Sequence, residues 1–245
     1  MSGSVITVPA FASSRDGVRH FFGTRSHAET VKMDIGVPLR ARGPRGRGWL
    51  LSVKQVHGTD ALLVDRPLAE QDRFDGSWDA LVTDQPGVTV AVRTADCVPV
   101  LVYDRRKRAV AAIHAGWRGA VAGIVPRTIE LMVSRFRSSE EDMLVSIGPS
   151  AGPCCYEIDE AVLTPLRSGL SDWQEVVRGY QGVKARLDLK ELVRRQVSHA
   201  GIKPDHVTAV NLCTICHDDL FYSYRRDGRV MGTMLSGIQL TSHRS

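Results

Sequence analysis

The chain has 245 residues, enough for one large domain or two small ones, and it is 43% hydrophobic and 24% charged. These fractions are typical of a soluble globular protein and exclude a disordered or fibrous chain. No stretch approaches the ~18 consecutive apolar residues of a membrane helix, and the first residues lack the basic and then apolar pattern of a signal peptide. We therefore expect a cytoplasmic protein without a membrane partner.

The formal net charge of +5 comes from two basic clusters, Arg40 to Arg47 and Arg105 to Arg108. Each cluster contributes four positive charges, so the rest of the chain carries −3 once these eight are removed from +5. Glycine and proline alternate with arginine in 40–48, which predicts a solvated loop, and the second cluster lies between two apolar runs, which predicts a turn. Exposed basic loops are the favoured interpretation, and RNA binding through 40–48 is the alternative.

Short runs rich in Val, Ile and Leu recur along the chain and predict strands. They cover 18–22, 50–56, 79–83, 88–92, 97–103, 109–113, 143–147 and 206–212. Apolar residues at helical spacing predict helices at about 119–136, 157–167 and 188–200. The strand-rich first half and the mixed second half predict one α+β domain over 1–245, a mixed α/β domain with helices packed on the sheet.

Two apolar runs flank the turn at 104–108 and predict a β-hairpin. A loop centred on Arg105 and Arg106 would place Cys97 directly opposite His114. Arg-Arg is not a favoured hairpin dipeptide, so this register depends on the assumed turn. The prediction is a thiol and an imidazole side by side at the end of a buried hairpin.

The Cys97 and His114 pair admits three interpretations. It is a buried thiol beside a structural histidine, a Cys–His nucleophile pair, or two ligands of a metal ion. A metal site needs at least one more donor, and His57, in Gln-Val-His-Gly at the end of an apolar run, is a candidate. The glycine-containing turn after His114 precedes a helix and carries Arg118, a combination that suits an anion.

The odd number of cysteines, five, favours reduced thiols over a disulfide framework. Cys213-Thr-Ile-Cys216-His217 matches the attachment pattern of c-type haem, but that attachment normally follows export. A zinc site from Cys213 and Cys216 with Cys154 and Cys155 is a further alternative, although adjacent cysteines do not form the usual C-x₂-C half-site.

Five sequence blocks stand out along the chain. They are Gln-Val-His-Gly (55–58), Ala-Asp-Cys-Val-Pro-Val-Leu (95–101), His-Ala-Gly-Trp-Arg-Gly (114–119), Gly-Pro-Ser-Ala-Gly-Pro-Cys-Cys-Tyr-Glu (148–157) and Phe-Tyr-Ser-Tyr-Arg-Arg-Asp-Gly (221–228). Together these blocks resemble the YfiH family, whose order they follow over roughly residues 18–230. Members of this family were first labelled polyphenol oxidases (laccases) and are now described as purine nucleoside phosphorylases.

The resemblance implies one zinc ion held by His57, Cys97 and His114, with a fourth position open for water or substrate. It also implies phosphorolysis of adenosine, inosine, guanosine or methylthioadenosine, with adenosine deamination as a companion activity. These three ligands are therefore the expected catalytic residues.

The family usually carries Phe-Ser-Thr-Arg near its N-terminus, where this chain has Phe-Gly-Thr-Arg ending at Arg25. Arg25 and Arg118 are expected to hold anionic oxygens, and Lys54 is expected at the rim of the site. A Cys–His hydrolase acting on peptidoglycan precursors, with Cys97 as nucleophile and His114 as base, is the alternative from another enzyme class. Copper-dependent phenol oxidation would need more histidine ligands than this cluster provides.

Overall fold

The structure is a computed structural model that describes residues 4–12, 17–28, 33–43 and 46–241. Among the described residues, the strands are β1 Val5–Ile6, β2 Val18–Gly23, β3 Leu39–Gly43, β4 Gly46–Leu51, β5 Ala61–Val64, β6 Ala80–Thr83, β7 Val88–Thr94, β8 Val98–Asp104, β9 Ala109–Ala115, β10 Met143–Ile147, β11 Glu157–Ile158, β12 Val177–Arg178, β13 Ala185–Leu187, β14 Val207–Ala209 and β15 Met234–Leu240. The helices are α1 Pro9–Ala12, α2 Arg25–Ala28, α3 Trp117–Val121, α4 Ile124–Phe136, α5 Glu160–Gly169, α6 Leu189–His199 and α7 Tyr224–Asp227.

Two six-stranded sheets and one small sheet form the scaffold. The first sheet has the order β1-β2-β15-β7-β4-β3, the second β14-β10-β8-β9-β6-β5, and the small one β11-β13-β12. Both large sheets combine parallel and antiparallel pairs, for example β4 parallel to β7 and β8 antiparallel to β9. With helices added to these mixed sheets, the α+β prediction is confirmed. The single domain over 1–245 stays a prediction.

The second sheet is buried on both faces. Val100 and Ile113 belong to a core shared with helices α4 and α6, whereas Leu101 and Ala112, one residue along each strand, belong to a core shared with the first sheet. Successive side chains of a strand point to opposite faces, so both faces of these strands must be apolar. This explains why 97–103 and 109–113 are continuous apolar runs rather than alternating patterns.

The hairpin of β8 and β9 forms as predicted, but the predicted register is wrong. Pro99, not Cys97, lies opposite His114, because the turn occupies four residues between the paired Asp104 and Ala109. The Asp104 carboxylate accepts hydrogen bonds from the N–H groups of Arg106 and Lys107 at 2.8 Å, and this side-chain cap centres the turn one residue later. Cys97 is two residues before Pro99, so its side chain lies on the same face of the sheet as that of Pro99. It is therefore a diagonal neighbour of His114 rather than its direct partner.

The Arg/Gly segment 40–48 is not a loop as predicted. Its described residues pair as strands β3 and β4, with Arg40 opposite Trp49; residues 44–45 lie outside the described residues. Gly48 allows a close approach to the neighbouring chain, since a Cβ there would lie 2.6 Å from the carbonyl oxygen of Gly87. The second basic cluster is a turn, as predicted.

The helix predicted at 119–136 is two helices, α3 and α4, separated at Gly123, whose φ of 85° is in the left-handed region and ends the first helix. The other two long helices begin behind aspartate caps. The Asp159 side chain accepts a hydrogen bond from the N–H of Ala161, and the Asp188 side chain accepts one from the N–H of Glu191. In the part of the chain that the structure describes, no helix is both long and apolar enough to cross a membrane.

Candidate metal centre

His57, Cys97 and His114 come together at one end of the second sheet. Their ligand atoms, one nitrogen from each histidine and the sulfur of Cys97, all lie within 4.8 Å of one another. His114 is on β9 and is buried, Cys97 immediately precedes β8 and is half-buried, and His57 is exposed in the loop after β4. The cluster therefore has a buried base and one side open to solvent.

Asp79 orients two of these three residues. It directly precedes β6, is fully buried, and its Oδ1 lies 2.7 Å from Nδ1 of His114. Its carboxylate also accepts hydrogen bonds from the N–H groups of Val56 at 3.2 Å, His57 at 2.9 Å and Gly58 at 2.7 Å. These bonds hold the loop in which His57 has a positive φ of 62°. One carboxylate thus fixes the ring of His114 and the backbone of His57.

Two glycines of the His-Ala-Gly-Trp-Arg-Gly block leave room for the cluster. A Cβ on Gly116 would lie 2.6 Å from Cδ2 of His57 and 3.0 Å from the sulfur of Cys97. A Cβ on Gly119 would lie 2.7 Å from the carbonyl oxygen of Gly58. The contacts of 2.6 Å and 2.7 Å are shorter than real Cβ atoms adopt, so the block needs glycine at both positions for steric reasons.

Cys97 and His114 shift one another's pKa values, and Asp79 adds to the shift of His114. Burial alone raises the pKa of the Cys97 thiol, but the charge of His114 and hydrogen bonds from both histidines outweigh burial and lower the pKa to about 6. Burial alone lowers the pKa of His114, whereas the Cys97 thiolate and Asp79 raise it to about 9. The site therefore favours a thiolate, the form of cysteine that binds metals.

The residues of this cluster fit a metal ion. A thiolate and two imidazole nitrogens are the donors that zinc prefers, and three protein donors leave a fourth position free. The hydrogen bond from Nδ1 of His114 to Asp79 leaves Nε2 of that ring available for an ion. The exposed edge of His57 gives the ion a path of entry.

The three predicted substrate contacts lie in different surroundings. Arg25, at the start of α2, lies 4.6 Å over the ring of Tyr222, and its buried Nε has no hydrogen-bond partner among the described residues. Arg118 is exposed and lies 4.3 Å over the ring of Trp117. Lys54 is exposed, and its backbone pairs with Ser77. The glycine-containing turn precedes helix α3, which has only five residues. The start of so short a helix attracts an anion less than the start of the long helix predicted from the sequence.

Three further residues beside the cluster were not predicted from the sequence. Asp79 opens an apolar run, but nothing in the local sequence indicates that it meets His114. Tyr156 lies close enough to Cys97 for the thiolate to affect its pKa, which burial chiefly raises to about 12. Arg225 lies 5.0 Å over the ring of Tyr156 and donates its backbone N–H to Asp96. Tyr156 and Arg225 belong to the blocks 148–157 and 221–228, and the sequence did not indicate what these blocks do.

Comparisons with known proteins agree on one family. The family model described as multi-copper polyphenol oxidoreductase laccase matches residues 27–241. The purine nucleoside phosphorylase of Bacteroides thetaiotaomicron is 40% identical over 193 residues, covering 76% of this chain and 71% of the relative. The purine nucleoside phosphorylase YfiH of Escherichia coli is 35% identical over 193 residues, covering 78% and 73%.

A solved structure shows the same fold. The crystal structure of YlmD from Geobacillus stearothermophilus superposes with a TM-score of 0.76 at 29% identity, covering 96% of this chain and 94% of that one. The family model and the two relatives each cover about three quarters of the chain or more, and the residues matched by the model, 27–241, span the candidate metal centre. The chain therefore belongs to the YfiH family of laccase-like proteins.

Proposed function

We propose that the protein is a zinc-dependent purine nucleoside phosphorylase that acts on adenosine, inosine, guanosine or methylthioadenosine. The observation that carries this proposal is the cluster of His57, Cys97 and His114, whose ligand atoms lie within 4.8 Å of one another. The names of the curated relatives supply the reaction. In this reaction the bond between the base nitrogen and C1′ of the sugar breaks, a phosphate oxygen bonds to C1′, and the base leaves with a proton.

The chain's own residues would prepare the site. Asp79 holds the ring of His114 and the backbone of His57 in place. A bound zinc ion supplies Lewis-acid polarisation of a ligand oxygen. Arg25, with its unpaired Nε, and Arg118 would bind anionic oxygens of phosphate, and Lys54 would add positive charge at the rim. We also propose adenosine deamination as a companion activity of the site. In that reaction the oxygen of a water molecule bonds to the ring carbon that carries the amino group, and the amino group leaves as ammonia.

A cysteine hydrolase is the second candidate, and one observation favours it. The site places a nucleophile, Cys97, beside a base, His114, which an acid, Asp79, orients. The pKa of the Cys97 thiol is lowered to about 6, which favours the nucleophilic thiolate. The third donor, His57, has no role in that chemistry but completes a metal site. Copper-dependent phenol oxidation needs several histidine-rich copper sites, whereas the two candidate ion sites in the described chain contain only two histidines.

Product analysis tests the proposal. The purified protein is incubated with adenosine in the presence and absence of phosphate, and the products are separated by chromatography. Adenine and ribose 1-phosphate, formed only with phosphate, are the expected products, and inosine would reveal deamination. Zinc should be present in stoichiometric amount, and chelation should abolish both reactions. Activity on amides that survives complete removal of metal and still requires Cys97 would replace the proposal with the hydrolase. The cytoplasmic location stays a prediction.

A further inference from the structure

The other four cysteines form a second cluster. The sulfur atoms of Cys154, Cys155, Cys213 and Cys216 all lie within 4.8 Å of one another. Cys216 is 3.3 Å from Cys155 and 3.5 Å from Cys154, sulfur to sulfur, and all four are free thiols. Together with Cys97, these residues account for every cysteine of the chain.

Two turns that lie side by side bring these residues together. Ser150 and Cys213 form a parallel bridge, in which the N–H of Thr214 donates to the carbonyl oxygen of Ser150 at 3.0 Å. Cys154 and Cys155 lie in the turn that follows Ser150, and Cys216 lies in the turn that follows Cys213. The bridge therefore fixes one pair of cysteines against the other.

The spacing of the sulfurs fits one tetrahedral ion. Four thiolates at the usual Zn–S distance of ~2.3 Å are about 3.8 Å apart from each other, which lies within the observed range. Disulfides need two pairs at ~2.05 Å, whereas here each sulfur has all three others as neighbours. Packing does not explain the cluster either, because Cys154 and Cys216 are exposed and buried cysteines behave as small hydrophobic residues.

We propose that Cys154, Cys155, Cys213 and Cys216 bind a single Zn²⁺ ion in a structural site. Four protein ligands complete the coordination of zinc, so this site is closed, unlike the three-donor cluster. The same four sulfurs leave no thiol for haem at Cys213 and Cys216. The proposal does not depend on the reaction proposed above.

Groups around the cluster would support such an ion. The sulfur of Cys213 accepts hydrogen bonds from the N–H of Gly152, at 3.2 Å, and from the N–H groups of Ile215 and Cys216. Backbone donors of this kind orient ligands of a metal from outside its first coordination sphere. A zinc ion with four thiolates carries a net charge of −2, and the ammonium group of Lys190, close enough to act on Cys213 and Cys154, offsets part of it. A cavity of about 300 Å³ lined by Cys154, Cys213 and Lys190 gives access from solvent.

The proposed ion would also fix the chain around the first cluster. Thr214, between Cys213 and Cys216, donates its hydroxyl to Oδ1 of Asp96 at 2.6 Å, and the N–H of Ala151 donates to the carbonyl oxygen of Asp96 at 2.9 Å. Asp96 has a positive φ of 90° and directly precedes Cys97. The ion would thus link the two turns that hold the residue next to a ligand of the first site.

Metal content of single-cysteine variants tests the proposal. The full-length protein is purified from cells grown with zinc, and bound metal is measured by mass spectrometry. We expect about two zinc ions per wild-type chain and about one in each of Cys216→Ser and Cys97→Ser, the matched control from the first site. After replacement by Co²⁺, Cys216→Ser should lose most of the sulfur-to-cobalt absorbance, whereas Cys97→Ser should lose little. Equal metal content in Cys216→Ser and the wild type would overturn the proposal.

A second measurement uses the wild-type chain alone and so does not require a variant to fold. Zinc-loaded protein is treated with iodoacetamide before and after removal of metal by a chelator, and the modified cysteines are identified by mass spectrometry. We expect Cys154 and Cys216, although exposed, to react slowly until the chelator is added. Immediate alkylation of both in the zinc-loaded protein, or an intact mass that shows two disulfides, would exclude the site.

Discussion

The carboxylate of Asp79 lies directly against the ring of His114, with 2.7 Å between Oδ1 and Nδ1. The two residues are also paired across adjacent strands, since the N–H of His114 donates to the carbonyl oxygen of Asp79 at 2.7 Å. Asp79 is fully buried, and the same carboxylate accepts three backbone hydrogen bonds from the loop of His57. One residue that contributes no donor to the cluster thus determines the geometry of two residues that do.

Replacement of Asp79 by asparagine should weaken zinc binding at the first cluster by about 10–100-fold, the usual effect of losing a partner of a ligand histidine. The amide cannot carry the charge that stabilises a proton on Nδ1 of His114. Zinc affinity is measured by competition with a chromogenic chelator, and circular dichroism checks that the variant is folded. Asp60→Asn, which changes an exposed carboxylate nearby, is the control and should bind zinc normally. Unchanged affinity in a folded Asp79→Asn variant would show that His114 needs no orienting partner.

The sequence predicts the strands of this site better than their pairing. The runs 97–103 and 109–113 are recognisable because strands buried on both faces are apolar throughout. Their register depends on the turn, which the side chain of Asp104 caps. That hydrogen bond shifts the partner of His114 from Cys97 to Pro99 but keeps Cys97 on the same face. The juxtaposition of thiol and imidazole is therefore predictable, whereas their exact pairing is not.

Asp79 was not predictable for a different reason. It is 35 residues from His114, and it meets that residue only because β6 pairs with β9 in the second sheet. Strand order arises from the packing of the whole domain and has no local signal. The Arg/Gly segment likewise looks like a loop by composition, but it pairs as strands because β4 adds to β7 of the first sheet. Tertiary contacts override local propensity at both places.

Gly116→Ala should abolish zinc binding at the first cluster, because the new methyl group would lie 2.6 Å from Cδ2 of His57 and 3.0 Å from the sulfur of Cys97. Displacing either ligand changes the distances that an ion requires. Gly58→Ala is the matched control in the same site, since its methyl group would meet Asp79 at 3.4 Å, an ordinary contact. Zinc content after dialysis distinguishes the two variants. Zinc retained at wild-type affinity by Gly116→Ala would contradict the steric argument.

Arg25→Ala should raise the KM for phosphate and lower kcat/KM by about 10–100-fold, the equivalent of one hydrogen bond to a charged group at ~1.5–3 kcal/mol. The expectation follows from its buried Nε, which has no hydrogen-bond partner among the described residues. Arg25→Lys should recover only part of the loss, because lysine keeps the charge but not the planar fork. Arg135→Ala, which removes an exposed arginine paired with Asp65, is the control and should leave the KM unchanged. A normal KM for phosphate in Arg25→Ala would remove Arg25 from the proposed site.

Acid should destabilise the protein through His20, a residue outside both clusters. Burial lowers the pKa of His20 to about 4, and its Nε2 accepts a hydrogen bond from the N–H of Val8 at 2.8 Å. Between this pKa and the ordinary value of 6.5, the unfolded chain binds a proton that the folded chain does not. The contribution of His20 to the free energy of unfolding is therefore complete above pH 6.5 and decreases as the pH falls toward 4.

The expected loss between pH 7 and pH 5 is about 2 kcal/mol from this residue, at ~1.36 kcal/mol per pH unit below 6.5. Urea unfolding of the wild type and of His20→Gln, measured at both pH values, isolates the contribution. Glutamine does not titrate but can still accept the hydrogen bond from Val8. His20→Gln should therefore lose about 2 kcal/mol less than the wild type on acidification. Equal losses in the two proteins would mean that His20 is already protonated in the folded state, and that the bond to Val8 is not present as described.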